Sequence, residues 1–411
     1  MRRRRRLARP AATGRHTRTG RRPLRRVEAH RTEVRTRTPP RPGLFDPPPE
    51  EEGFMPLLTR MLNAPLSIDV RRGAVASLGD LLADGRIATE GRVAIAVGPG
   101  QGVKIAEHVR TSLSACEVFQ VDGGTVDAAV ELGGKLRSGQ YEAVVGIGGG
   151  KTIDATKYAA TLSGIPMVSV ATNLSHDGIC SPVASLEHDS GKGSFGVVMP
   201  LAMIVDLDYV RAAPDRLVRA GIGDVVSNFS AVDDWLLAAD AVGERVDRMA
   251  LTVARTAAEA LLHQPRSVES DEFLTVLAEG LVLSGMAMSF AGDSRPASGG
   301  DHEIMHAIDR LFPGTANHGE LAGLGAAFCY HLRATHLGTG EERLEQILNS
   351  LGRHGLPRVP GDVGLSAEQF AAAVKFAPET RPGRYTILEH LDLDAAATRA
   401  AVDDYVRAYG G

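Results

Sequence analysis

The chain has 411 residues, 43% hydrophobic and 23% charged, with a formal net charge of −4. This is the composition of a soluble globular protein, and at about 150 residues per domain the length suggests two domains plus extensions. No run of about 18 uninterrupted apolar residues is present to cross a bilayer, and Cys116, Cys180 and Cys329 are too scattered for a disulfide framework or a CxxC metal site, so a reducing cytoplasm is the expected compartment.

The charge is unevenly spread. Residues 1–41 carry 16 arginines against Glu28 and Glu33, a net of +14 that leaves −18 for the rest. This arm lacks hydrophobic periodicity and runs into PPRPGLFDPPPEEEG, so residues 1–60 read as a disordered Arg-rich tail with a stiff Pro-rich linker. Such an arm could grip nucleic acid or anionic lipid, and its paired arginines raise a twin-Arg export signal, but no apolar stretch follows them. A solvated extension is expected, because the acidic body argues against nucleic acid as a partner.

From Arg92 onward, short β-rich runs alternate with amphipathic ones: VAIAV, QGVKIAEHVRTSL, CEVFQV, TVDAAVELGGKL, YEAVVGI, KTIDATKYAATL and PMVSV. The alternation predicts a parallel sheet wound right-handedly, an α/β domain over residues 61–213. The run VVMPLAMIVDLDYV predicts two further strands or a hairpin. From about Pro214 strand signals nearly vanish, so residues 214–411 form a second, all-helical domain. Ligands favour the carboxyl ends of such a sheet and domain interfaces, which makes the cleft between the two the expected site.

The turn GIGGGKTIDATK (residues 146–157) falls where the strand YEAVVGI meets the next helix. Its glycines would let the backbone approach an anion, and the helix amides supply donors, so a phosphate is the expected guest. Neither GxGxxG nor GxxxxGK[ST] fits: Ile153 and Val145 stand where those patterns need glycine. A ligand-free tight turn would be the bland alternative, but three consecutive glycines exceed what it requires.

The stretch SGGDHEIMHAIDRLFPGTANHGE (residues 298–320) holds three of the chain's 13 histidines and four carboxylates. His302 and His306 are one helical turn apart on one face. Pro313 and Gly314 should end that helix, and a second should begin near His318. Two helices joined in this way can aim imidazoles into one space, a common way of holding a divalent metal. A single histidine near a helix end is more often a cap or a bonded core residue. Further upstream, GIGDVVSNFSAVDDW (residues 221–235) places Asp224 near the start of a helix, a carboxylate that could complete the set.

Taken together, GIGGGKTID, ATNLSHDGICSPVAS (residues 171–185), GIGD, HEIMHAID and ANHGE, in this order, resemble the superfamily of group III metal-dependent alcohol dehydrogenases and dehydroquinate synthases. Within it the match is nearest the glycerol-1-phosphate dehydrogenases, over roughly residues 65 to the low 390s. The resemblance implies a dinucleotide-binding α/β domain followed by a helical metal and substrate domain. It implies Asp224, His302 and His318 as ligands of Zn2+, with Fe2+ or Ni2+ as alternatives, since three protein ligands leave a position for substrate. Gly148, Gly149, Gly150, Lys151 and Thr152 map to the turn that holds the pyrophosphate of NAD or NADP. Thr172, Asn173, Ser175 and Ser181 map to the loop that continues that site. Asp177 maps to a substrate contact, and His306 is placed to touch substrate.

The activity implied is reversible, NAD(P)H-dependent, metal-assisted reduction of dihydroxyacetone phosphate to sn-glycerol 1-phosphate, by a homo-oligomer acting on a small phosphorylated triose. Protonation of the nascent alkoxide falls to His306 or to a water held by Asp177. The alternatives are a zinc- or iron-dependent glycerol or polyol dehydrogenase without phosphate preference, a dehydroquinate synthase-like sugar phosphate enzyme, and a non-enzymatic nucleotide sensor, which would not need all three ligands. VAIAVGPGQG has no acid immediately after its strand, which leaves NAD and NADP both open. No phosphate anchor is legible, since arginines such as Arg295 could equally be surface charge.

Overall fold

In the computed structural model the described residues are 62–88, 91–110, 116–189 and 191–410. The arginine-rich arm and its linker, residues 1–60, lie outside them. The strands are β1 (Ser67–Arg71), β2 (Val93–Val97), β3 (Cys116–Gln120), β4 (Ala143–Gly148), β5 (Met167–Ala171), β6 (Val183–His188), β7 (Gly191–Gly196) and β8 (Ala202–Asp206). Six form one sheet in the order β1-β8-β5-β4-β2-β3, every pair parallel. Central strands covered on both faces are nearly continuous apolar runs, and β4, β5 and β8 are buried at every position, with Ser169 and Asp206 as their polar members.

The helices are α1 (Leu78–Leu82), α2 (Gln101–Arg110), α3 (Val126–Ser138), α4 (Gly150–Ser163), α5 (Leu207–Ala212), α6 (Asp215–Val242), α7 (Arg248–Leu262), α8 (Asp271–Ala291), α9 (Gly300–Leu311), α10 (His318–Leu337), α11 (Glu341–Arg353), α12 (Ala367–Phe376), α13 (Ile387–Leu391) and α14 (Ala395–Tyr409). One sheet face packs Ile95, Val145, Ile147 and Val170 on Leu78, Ile105 and Val109. The other packs Val144, Met203 and Val205 in a core that runs unbroken into Phe229, Leu281, Ile304 and Leu324 of the helical layer. This continuity fixes the helical layer against the carboxyl ends of the strands. The apolar helix α8, long enough to span a bilayer by length and composition alone, contributes Phe273, Leu277 and Leu281 to that core.

The helical region opens at Asp215, after Pro214, as its composition predicts. The strand expectation for VVMPLAMIVDLDYV is only half met. Ala202–Asp206 is a sheet strand, Leu207–Ala212 is already helix because Asp206 caps it, and the hairpin is the preceding β6–β7 pair. Glycines at 191, 193 and 196 mask that hairpin by diluting the strand pattern.

Candidate active site

The predicted glycine turn is a strand-to-helix junction: β4 ends at Gly148 and α4 starts at Gly150. The turn needs glycine because other side chains occupy the space a Cβ would take. A Cβ on Gly149 would come within 2.5 Å of Asn173 Nδ2, and one on Gly150 would run into the His176 ring. Thr172 donates its backbone N–H to Gly148 O at 3.0 Å, tying the following loop to the turn. Thr152 is buried against Gly98, after β2. Lys151 is exposed and reaches Glu187 of β6 at 3.1 Å. Ser175 donates its N–H to Asn173 Oδ1, while Ser181 is buried with its hydroxyl on Val183 O. The nine residues thus share one end of the sheet.

Beneath them lies an ion pair that sequence reasoning missed. Lys157 is fully buried, 2.9 Å from Asp154, and donates to Ser181 O and Val183 O, while Asp154 accepts from Ser185 N at 3.1 Å. Both stand in the quoted KTIDATK, but only the fold shows that they hold residues 181–185 in place.

The helices α6 and α10 supply the second half of the site. They cross where glycines let backbone meet backbone: a Cβ on Gly223 would run into Gly319 O, and one on Gly319 into Ala220 O. That approach puts Asp224 beside His318. Asp224 lies in the third turn of α6 rather than near its start, because the helix extends back to Asp215. His318 opens α10, whose cap is Asn317 with Glu320 bonded back to Asn317 N at 2.7 Å. Arg216 pairs with Glu320 at 2.7 Å and steadies that cap.

Asp224 Oδ1 lies 3.3 Å from His318 Nε2 and 3.8 Å from His302 Nε2, and the two ring nitrogens are 3.2 Å apart. Two imidazole nitrogens and a carboxylate oxygen so close together match the donor set of a divalent metal. The electrostatics fit as well. Burial works against charging His302, but Asp301 and Asp224 outweigh it and lift the ring to about 9. Burial would likewise raise Asp224, yet the two histidines hold it below the usual carboxylate range. The pocket is built to hold positive charge. Asp301, fully buried, faces His302 Nδ1 at 2.7 Å, which leaves Nε2 to face Asp224 and His318.

His306 is one turn further along α9, its ring centroid 6.4 Å from that of His302, and stands apart from the three-donor group. Its Nε2 is 2.9 Å from Arg381 Nη2. A guanidinium only donates, so Nε2 accepts and the ring proton sits on Nδ1. Burial and Arg381 keep this imidazole neutral. Asp177 donates its backbone N–H to Asp224 Oδ2 at 2.8 Å, and its own carboxylate accepts from Ser284 at 2.8 Å. Burial, with Asp224 close by, pushes its carboxyl up to about 7. His176 was quoted in SHDG without a role. It bridges the two halves, with its ring over Gly150 and 5.5 Å from that of His318, and burial pulls it down to about 4.

Asp177, His302, His306 and His318 line a cavity of about 110 Å³, together with Ser185, Lys192, Ser294 and Arg381. That is well below the ~300–1,000 Å³ of drug-sized pockets and suits a small substrate. Arg295 is no surface charge. It is buried and paired with Glu244 at 2.6 Å.

Residues 69–214 match the family model described as iron-containing alcohol dehydrogenase. A glycerol-1-phosphate dehydrogenase [NAD(P)+] of Methanospirillum hungatei is 33% identical over 353 residues, 85% of this chain and 94% of the relative. The chain belongs to the glycerol-1-phosphate dehydrogenase family, within the iron-containing alcohol dehydrogenases. Its family relative from Archaeoglobus fulgidus, of the same name, is 40% identical over 258 residues, 62% of this chain and 73% of that one. The fold of this family member is that of a probable glycerol dehydrogenase from Sinorhizobium meliloti 1021, with a TM-score of 0.68 at 20% identity, covering 85% and 99% of the two chains. Glycerol dehydrogenase from Schizosaccharomyces pombe superposes with a TM-score of 0.64 at 17% identity, over 86% and 93%.

Proposed function

We propose that the protein reversibly reduces dihydroxyacetone phosphate to sn-glycerol 1-phosphate with NADH or NADPH. The observation that carries this reading is the convergence of Asp224, His302 and His318, of which the two histidines line a small cavity that Asp177 and His306 also face. The names of the relatives supply the substrate. Zn2+, or Fe2+ or Ni2+, would supply Lewis-acid stabilisation of the negative charge that builds on the ketone oxygen, and NAD(P)H would supply the hydride to carbon.

The chain's own residues do the rest. Asp224, His302 and His318 would hold the metal, with Asp301 fixing the His302 ring. Residues 148–152, with Thr172, Asn173, Ser175 and Ser181, would bind the dinucleotide, its pyrophosphate on the N-terminal amides of α4. We assign that task to residues 61–213, and metal and substrate binding to residues 214–411. Asp177, anchored by Ser284, would orient a substrate hydroxyl. His306 offers its Nδ1 proton, and either it or a water on Asp177 would deliver the proton that the product oxygen needs.

The decisive assay compares dihydroxyacetone phosphate with dihydroxyacetone in a single NAD(P)H oxidation experiment. The phosphorylated ketone should win by roughly a hundredfold or more in kcat/KM, because a site shaped for a dianion leaves buried donors unpaired without it. The product should be sn-glycerol 1-phosphate, since metal ligands, phosphate anchor and dinucleotide turn fix one face of the carbonyl. Equal rates would point to a polyol dehydrogenase, and the 3-phosphate enantiomer would sink the assigned pose.

A further inference from the structure

The cavity holds more positive charge than the metal-ligand wall explains. Arg381 and Arg384 lie on the turn after the short helical segment Ala377–Thr380, where Gly383 takes a positive φ of 89°. Both guanidinium groups point back into the fold. Arg381 donates to Ser294 Oγ at 2.9 Å and to His306, while Arg384 donates to Ser294 Oγ at 3.0 Å and to Ser298 O. Among the described residues, neither has a carboxylate within ion-pair distance. Glu303, Asp293 and Asp301 act on them only from further away. Neighbouring Arg295 already has its carboxylate, Glu244.

Half-buried cations without a counter-ion are costly, and proteins ordinarily pair them. Burial and the charge of Arg384 together pull Arg381 down to about 10, the signature of a cation short of an anion. Ser294 sharpens the point. Its oxygen already accepts from two arginines, so its one proton is left to donate to a third partner, and Ser294 lines the cavity. Across from it, Lys192 of the β6–β7 hairpin lines the same space and meets Asp309 at 3.3 Å. All of these groups are donors on the His306 side of the site: Lys192 and Arg381 line both this cavity and a larger adjoining one of about 1040 Å³, which Arg384 also lines.

We propose that Arg381, Arg384 and Ser294, faced by Lys192, form a subsite for a phosphomonoester dianion. Resting on the function proposed above, this subsite takes the phosphate of the triose while its carbonyl end lies toward His302 and His318. His306 stands between the two ends, so a three-carbon chain reaches both. The arginines offer planar pairs of donors that suit phosphate oxygens.

The test uses the metal-loaded enzyme and the variants Arg381→Gln, Arg384→Gln and Ser294→Ala, with Arg381→Lys as the conservative control. Each variant is first shown to fold by its melting curve. Two ratios are then read: kcat/KM for dihydroxyacetone phosphate over that for dihydroxyacetone, and the inhibition constant of inorganic phosphate against dihydroxyacetone. Both should deteriorate on the order of tenfold or more in the glutamine variants, with partial recovery in Arg381→Lys. A merely structural role would lower both substrates together and leave phosphate inhibition intact, which overturns the subsite. If the wild type shows no preference for the phosphorylated ketone, the proposed function falls, yet phosphate inhibition lost in the variants still supports the anion site. Absence of phosphate inhibition in the wild type overturns the anion site outright.

Discussion

His302 Nδ1 lies 2.7 Å from Asp301 Oδ1, and Asp301 is fully buried at the start of the same helix. The carboxylate holds the ring in one tautomer and one orientation, with Nε2 directed at Asp224 and His318. Asp301→Asn should therefore keep the fold but weaken metal binding by roughly ten- to a hundredfold, the usual cost of losing such a partner. Titration with a metal-sensitive chelator checks it. An unchanged affinity would reduce Asp301 to a helix cap.

His302→Ala or His318→Ala removes one of three donors and should abolish bound metal and turnover together. Elemental analysis of the purified variants, beside their activity, decides the matter. A variant that kept a full equivalent of metal and near-normal turnover would refute the ligand assignment.

What could be read from the chain was what neighbours in sequence determine. The glycine turn at 148–150 and the break at Pro313 are local, and both fall where predicted. His302 and His318 were legible because a short turn joins their helices. Arg381 and Arg384 were not, although RPGR is a conspicuous turn, because an arginine reads as surface charge until Ser294 and His306 are seen beside it. Asp301 was one acid among four in its stretch, and only its distance to His302 singles it out. The crossing of α6 and α10 depends on Gly223 and Gly319, which are 96 positions apart in the numbering and carry no pattern that links them.

Acid stability has a separate source in a buried histidine. His354 is buried against Phe273, with ring centroids 5.0 Å apart, and Arg353 and Arg219 crowd it. Burial, reinforced by those two charges, pulls its ring down to about 4. The folded state thus refuses a proton that the unfolded chain accepts near its ordinary value of about 6.5. The stability this contributes is complete above that value and is lost as pH falls toward 4. His354→Gln should flatten this leg of the melting temperature against pH, by comparison with the wild type at the same metal loading. A variant whose melting temperature falls as steeply as that of the wild type between those values would remove His354 from the account.

The last prediction concerns Gly319, where backbone approach and chemistry meet. A Cβ there would run into Ala220 O and come within 3.1 Å of the Asp224 Cβ, so α10 must shift away from α6 to admit it. Overpacking of this kind costs about 1–3 kcal/mol. Because the shift separates His318 from Asp224, metal affinity in Gly319→Ala should fall along with the melting temperature. Gly134→Ala is the control, since Gly134 lies in helix α3 and a Cβ there meets nothing within 4 Å. That change should leave metal affinity alone and, by restricting the unfolded chain, raise stability by roughly 0.4–1 kcal/mol. Opposite signs in the two melting curves, with metal binding lost in one only, would tie the glycine crossing to the metal site. If Gly319→Ala melted and bound metal like the wild type, the helices would have another way to accommodate the methyl group, and the close crossing would not be what brings Asp224 to His318.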